Sequence, residues 1–179
     1  MYLLIAIVFA ALLAALFLRQ MSRKRAKVLA NLDTLPSLTQ PVDVQSLRNL
    51  LDQGQTEFLR DRLSFWQFCR VHRERTLAAA EYVDRIAKNA AILLQLGQLG
   101  RTNEDPEVAR AAQDIVERAL LVRMIAMQTL FKLYVQSVIP GIDLSTREIF
   151  ERYLRLTEST LLFTRLQRPA YAGRISAVL

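Results

Sequence analysis

Residues 97–106 of the 179-residue chain read GQLGRTNEDP and separate two long apolar patterns. Gly97 or Gly100 is suited to end the preceding helix in the left-handed conformation that glycine adopts readily. Asp105 is suited to cap the following helix, with Pro106 at its first position. Two long helices joined by so short a connection lie antiparallel. The stretch therefore predicts a long antiparallel helical hairpin at the centre of the fold.

The segment before this turn predicts one helix over 56–99, and the segment after it a helix from 106 to about 138. Steps of four and three residues bring mainly apolar or small side chains to one side of each helix. In the first helix this row is Phe58, Arg62, Phe65, Cys69, His72, Thr76, Ala79, Val83, Ile86, Ala90 and Leu93. In the second helix it is Val108, Ala112, Ile115, Ala119, Val122, Ala126, Thr129 and Leu133. Alanines in both rows predict a close approach of the two backbones.

Two shorter helices are expected to pack on the hairpin. Asp43 is a good N-cap for a helix over 44–53, and Gly54 either ends or bends that helix. The pattern S-x-x-E at 145–148 is a capping box that predicts a last helix over 146–167, stopped by Pro169. Its inward residues are predicted to be Ile149, Phe150, Tyr153, Leu154, Leu161, Leu162 and Leu166. The fold class is all-α, with a bundle domain at 43–167 and a tail at 168–179.

Upstream of the bundle, residues 2–18 read YLLIAIVFAALLAALFL, without a charge. As a helix this run is about 25 Å long, near the lower limit for crossing a hydrocarbon core. The sequence thus predicts a single transmembrane anchor at 1–18. Residues 19–42 follow as a basic juxtamembrane helix and a connection that contains two prolines, TLPSLTQP at 34–41.

Basic residues directly follow the run and set its predicted orientation: Arg19, Arg23, Lys24, Arg25 and Lys27. Such residues stay on the cytoplasmic side, so we expect the N-terminus outside and the bundle in the cytoplasm, at a bacterial inner membrane. The cluster is also placed to meet anionic lipid head groups. A cleaved signal peptide is disfavoured because the charge follows the run and no A-x-A triplet closes it. A mitochondrial outer-membrane signal anchor has the same topology and stays open.

The net charge of +7 does not indicate nucleic-acid binding. Five basic groups lie at 19–27 and three at 165–179, with no acidic residue in either segment. The remainder has 16 basic and 17 acidic residues. A nucleic-acid-binding domain has its basic surface on the domain itself, so we exclude this class of partner.

Cys69 and His72 are the residues that most resemble catalytic ones. Their i, i+3 spacing puts a thiol and an imidazole on one helix face, as a nucleophile and its base require. No glycine-rich or helix-start loop nearby offers an oxyanion hole. We therefore interpret them as a buried cysteine and a half-buried histidine. With one cysteine and one histidine in the chain, neither a disulfide nor a multi-histidine metal site within the chain is predicted.

Arg123 interrupts the apolar pattern of the second long helix. If the hairpin folds about residue 102, Arg123 lies opposite residues 80–84. A buried charge needs a partner, so we predict a contact with Glu81 or Asp84 that sets the register of the hairpin.

Phe65 and Trp66 fit the row of the first helix, whereas Phe68 sits further round and contacts either the short helix or a partner. We expect Phe68 in the core; an exposed Phe68 would be the best interface residue.

No nucleotide-binding, protease, hydrolase or calcium motif occurs in the sequence. We therefore predict a non-catalytic protein without a cofactor: a membrane-anchored helical scaffold or accessory subunit. Its expected partners are the lipid bilayer and a membrane or cytosolic protein, a second copy of the chain included. The alternative is a small membrane-tethered sensor or enzyme with a polar pocket near His72 and Arg123. A cavity lined by both residues would favour this alternative.

Overall fold

The structure of the chain is a computed structural model that describes residues 38–139 and 148–167. Every regular element in these two ranges is a helix, which confirms the all-α class for this part of the chain. The helices are α1 (Val44–Leu50), α2 (Gln53–Arg62), α3 (Phe65–Gly100), α4 (Pro106–Val138) and α5 (Glu148–Gln167).

The hairpin is formed by α3 and α4, which share the most extensive contact in the fold. Asp105 caps α4 as predicted: its carboxylate accepts a hydrogen bond from the backbone N–H of Glu107 at 2.9 Å. The whole predicted row of α4 is buried, and so is the row of α3 from Thr76 to Leu93. The periodicity of the sequence therefore identified both facing surfaces over most of their length.

Gly97 and Gly100 have a different role from the predicted one. Both lie within α3, and Arg101 follows in a right-handed helical conformation, so neither glycine is a left-handed cap. They are required by packing instead. A Cβ atom added at Gly97 would lie 2.8 Å from the carbonyl oxygen of Ala112 and 2.9 Å from Cγ2 of Val116. The two backbones approach too closely there for any side chain.

Replacement of Gly97 by alanine is therefore expected to lower the free energy of unfolding by about 1–3 kcal/mol, because the methyl group meets backbone that cannot rotate away. Chemical unfolding of the full chain in mild detergent, followed by circular dichroism, measures this loss. Gly54→Ala is the matched control, since the nearest atom to its added Cβ belongs to the Asp52 side chain. Equal effects of the two substitutions would contradict the close approach at Gly97.

The last helix, α5, packs mainly on α4 and also touches α3. Its buried row is Ile149, Tyr153, Leu156, Thr160, Phe163 and Thr164. The prediction was right for Ile149 and Tyr153 but wrong for Leu154, Leu162 and Leu166, which are exposed. The buried threonines explain the error, because each hydroxyl donates to a backbone carbonyl four residues earlier and so needs no solvent.

The predicted short helix is α1, which ends at Leu50, and α2 forms the first part of the helix predicted over 56–99. Asp43 caps α1, accepting from the backbone N–H of Ser46 at 3.0 Å, and Asp52 caps α2, accepting from that of Gly54 at 2.8 Å. Gly54 thus lies in the first turn of α2 and neither ends nor bends α1.

The guanidinium of Arg75 donates to the carbonyl oxygens of Asn49 and Leu50 at 3.1 and 3.2 Å. A cation at a helix C-terminus is favourable, so Arg75 holds α1 on α3 and is not a purely solvated residue.

The helix predicted over 56–99 is interrupted at Leu63 and Ser64, both of which are extended. The backbone N–H of Ser64 donates to the Gln67 side chain at 3.2 Å, which is half of an S-x-x-Q capping box. The interruption separates α2 from α3 and leaves the row within α3 continuous from Phe65. Ala112 contacts Gly97, so α4 ends level with residue 71, and Trp66 lies beyond the hairpin and is 81 % exposed. The prediction that Trp66 packs in the row was wrong, whereas the preference for Phe68 in the core is confirmed.

Several predicted features lie outside the described residues: the span at 2–18, the basic cluster Arg19, Arg23, Lys24, Arg25 and Lys27, the first half of the connection at 34–41, the capping serine of the last helix and the tail at 168–179. Of the helices that the structure does describe, none has both the length and the apolar content needed to cross a membrane.

Candidate interaction surface

Cys69 and His72 lie one turn apart near the start of α3, as their spacing predicted. The imidazole stacks on the ring of Phe68, with 5.5 Å between the ring centroids. Its Nε2 atom is buried and has no hydrogen-bond partner in the part of the chain that the structure describes, and Cys69 is partly exposed. A nucleophile and its base lie within hydrogen-bonding distance of each other. The contacts of His72 are those of a packed aromatic ring rather than of such a pair.

The environment of His72 predicts a pH dependence of stability. Burial, together with the positive charge of Arg75, lowers the pKa of His72 below its ordinary 6.5. As the pH falls below 6.5, the unfolded chain binds a proton before the folded chain does, so the free energy of unfolding decreases. The decrease ends once the pH has passed the lower pKa of the folded state.

Replacement of His72 by glutamine is expected to remove this part of the pH dependence. Unfolding titrations of both proteins at several pH values on either side of 6.5 measure it. Carboxylates titrate at lower pH and contribute equally to both curves. If the two curves were parallel throughout, the lowered pKa of His72 would be refuted.

Arg123 does not make the predicted ion pair. Its Nε atom is buried and has no hydrogen-bond partner among the described residues, and Asp84 pairs with Lys88 on its own helix. The register of the hairpin also differs from the predicted one. Ala112 contacts Gly97, so Arg123, eleven residues beyond Ala112, is level with residue 86 of α3. The register thus removes Arg123 from the level of Glu81, whereas Asp84 stays near that level and is paired with Lys88.

The polar residues that the alternative hypothesis combined are far apart. His72 lies fourteen residues from the level of Arg123, which is about 20 Å along the helix axis. The structure contains a half-open groove of about 220 Å³ between α4 and α5, but neither residue lines it. Its lining includes Asp114 and Arg118, which form an ion pair at 2.8 Å. The groove is therefore a charged surface cleft in which some of the acidic and basic side chains pair with each other.

An apolar surface on α4 was missed by the sequence reasoning. We call it the α4 stripe. Its side chains point away from α3 and recur at steps of four, three, four, three and four: Leu120, Met124, Met127, Phe131, Tyr134 and Val138. Met127 is partly buried and the other five are exposed, Phe131 by 69 % and Val138 by 78 %. Contiguous apolar patches of this kind on a soluble surface mark binding sites.

The charge around the α4 stripe supports this interpretation. From 119 to 139 the chain contains no acidic residue, and its basic residues are Arg123 and Lys132. Both lie beside the stripe and not in it. The stripe is continuous over the 19 residues from Leu120 to Val138, or about 27 Å of helix. The sequence signal for the stripe was its spacing of alternately four and three residues. The same helix has a second row with the same spacing, and that second row is buried.

Asn89 forms a buried junction between the chain before α1 and two helices of the bundle. Its side chain is fully buried, accepts from the backbone N–H of Gln40 at 2.9 Å and donates to the Gln40 carbonyl at 2.7 Å. It also donates to the Tyr153 hydroxyl at 3.0 Å. The segment that follows the predicted anchor is thereby bound to α3 and α5 at one point.

No metal site is present in the two described ranges, where no three His, Cys, Asp or Glu side chains converge.

Comparison of the chain with protein-family models, with curated proteins and with solved structures found no match. The contacts and exposed surfaces of the molecule are therefore the basis of any functional conclusion.

Proposed function

We propose that the protein is a membrane-anchored helical scaffold that binds a partner protein through the α4 stripe. The exposure of this stripe is the observation that carries the proposal. The hairpin core is formed on the other side of α4, so much of the apolar area of the stripe is left uncovered by the described residues. A soluble helix gains no stability from large apolar side chains on its exposed side, and their presence is accounted for by a partner that covers them.

Two further features suit a scaffold. The hairpin is a long, closely packed unit, and such a unit presents a surface of fixed shape. The Asn89 junction joins the bundle directly to residues 38–42, which follow the predicted anchor and its basic cluster. A partner bound to the stripe would then be held at a defined position relative to the membrane, because the tether is bound to the body.

A photo-crosslinking amino acid at position 131 of the full chain tests the proposal in native membranes. We expect a discrete protein adduct from position 131 and none from position 162 on α5, where Leu162 is also exposed but lies off the stripe. Similar adducts from both positions, or none from either, would refute the stripe as the binding surface. Release of the chain from membranes by buffer alone would refute the anchor.

A further inference from the structure

The spacing of the α4 stripe identifies the kind of partner. Steps of alternately four and three residues form a heptad seam, with Met124, Phe131 and Val138 at one core position and Leu120, Met127 and Tyr134 at the other. A narrow seam with this spacing is typical of a helix that packs against another helix, because the side chains of the two helices interlock. A helix that lies in a membrane surface instead has a broad apolar side and a polar side rich in lysine and arginine. The side of α4 opposite the stripe is the apolar core of the hairpin.

We infer that the partner helix is α4 of a second copy of this chain, packed antiparallel across the stripe. This inference rests on the proposed function and names the partner. A two-fold axis at the level of Thr129 pairs every residue of the stripe with a residue of the second copy at the other core position. Antiparallel coiled coils require this kind of pairing. The matched pairs are Leu120 with Val138, Met124 with Tyr134, and Met127 with Phe131.

The side chains favour the antiparallel direction. Each aromatic ring of the stripe meets a methionine of the other copy, and a flexible thioether packs well against a ring. A parallel pair would instead place Phe131 against Phe131, and Tyr134 against Tyr134. The antiparallel pair also brings Arg123 beside Val135 and Ser137 of the second copy, so no like charges meet. The two helix dipoles oppose each other, which is favourable.

The available area is sufficient for a dimer. The exposed fractions of the stripe correspond to roughly 600 Å² of apolar surface per copy, given that one aromatic side chain can bury about 150–250 Å². Two copies would bury about 1,200 Å², which is the lower limit of a stable specific interface. Confinement of both copies to one membrane raises their effective concentration and compensates for a modest intrinsic affinity.

Cysteine crosslinking between two tagged versions of the full chain tests both the partner and the direction. Cys69→Ser removes the native thiol from both versions. One version then contains Leu120→Cys and the other Val138→Cys, both at exposed positions. We expect a short bismaleimide to link the two versions when they are co-expressed in membranes. Neither version alone should form a crosslinked dimer, because the two equivalent cysteines would be about 27 Å apart.

Other outcomes overturn the inference. Crosslinked dimers from each version alone would indicate a parallel pair. No linked copies in any combination, with circular dichroism unchanged, would exclude a second copy. An adduct from position 131 that contains a different protein would keep the proposed function and refute this partner. An adduct from position 131 to lipid, or to residues 2–18 of the same chain, would refute both.

Discussion

Replacement of Phe163 by alanine is expected to lower the free energy of unfolding by about 4 kcal/mol, since a fully buried aromatic ring is deleted and its surroundings relax only in part. The ring lies where α5 meets the end of the hairpin, against Gly100. Its loss therefore removes the contact that closes this end of the bundle. Chemical unfolding of the full chain in mild detergent measures the effect.

Leu162→Ala is the matched control for this prediction, because Leu162 precedes Phe163 on the same helix but is 57 % exposed. Its effect should be within about 0.5 kcal/mol of zero. A second comparison uses Gly100→Ala, whose added Cβ would lie 2.6 Å from Cζ of Phe163. Combined with Phe163→Ala, this substitution should cost less than it does alone. Strict additivity of the two effects would contradict the contact.

Replacement of Asn89 by alanine is expected to lower the free energy of unfolding by about 3 kcal/mol, because several buried polar groups lose a partner at once. The backbone N–H and carbonyl of Gln40 and the hydroxyl of Tyr153 all bond to the Asn89 side chain. The main effect should be local. Residues 38–42 should detach from the bundle and become accessible to proteases before α3 and α4 unfold.

Tyr153→Phe separates the two parts of the Asn89 junction. It removes one hydrogen bond and keeps both bonds to Gln40, so we expect a loss of about 1 kcal/mol and no new protease site at 38–42. Equal protease sensitivity in Asn89→Ala and Tyr153→Phe would refute the junction as the attachment point of the N-terminal segment.

The hairpin could be predicted from the sequence because its signals are local. Asp105, Pro106 and the short turn determine where the second helix begins, and the alanine-containing rows determine which sides face each other. The interruption at Ser64 was missed because the apolar period continues across it. The S-x-x-Q pattern at 64–67 was the sequence signal for this interruption. It shows that an N-cap can begin a new helix even where the spacing of apolar residues continues unchanged.

The register of the hairpin and the candidate surface could not be predicted in the same way. A fold about residue 102 neglects the close contact of Gly97 with Ala112, which brings Arg123 level with residue 86 and away from Glu81. The α4 stripe was missed because α4 has two apolar rows with the same period. The row that faces α3 was identified correctly, because it contains the small side chains of Ala112, Ala119 and Ala126, which permit close packing. Periodicity does not tell whether the second row is covered by another helix or exposed.

The most direct test of the α4 stripe as a binding surface is the number of copies in particles of the full chain in mild detergent, measured by native mass spectrometry. We expect two copies for the unsubstituted chain and for Leu162→Glu. Phe131→Glu should give one copy with unchanged helix content, because an unpaired carboxylate buried in the seam costs several kcal/mol and weakens association at least about 100-fold. Two copies in Phe131→Glu would contradict the α4 stripe as the surface that pairs the copies, and one copy in the unsubstituted chain would contradict the pairing itself.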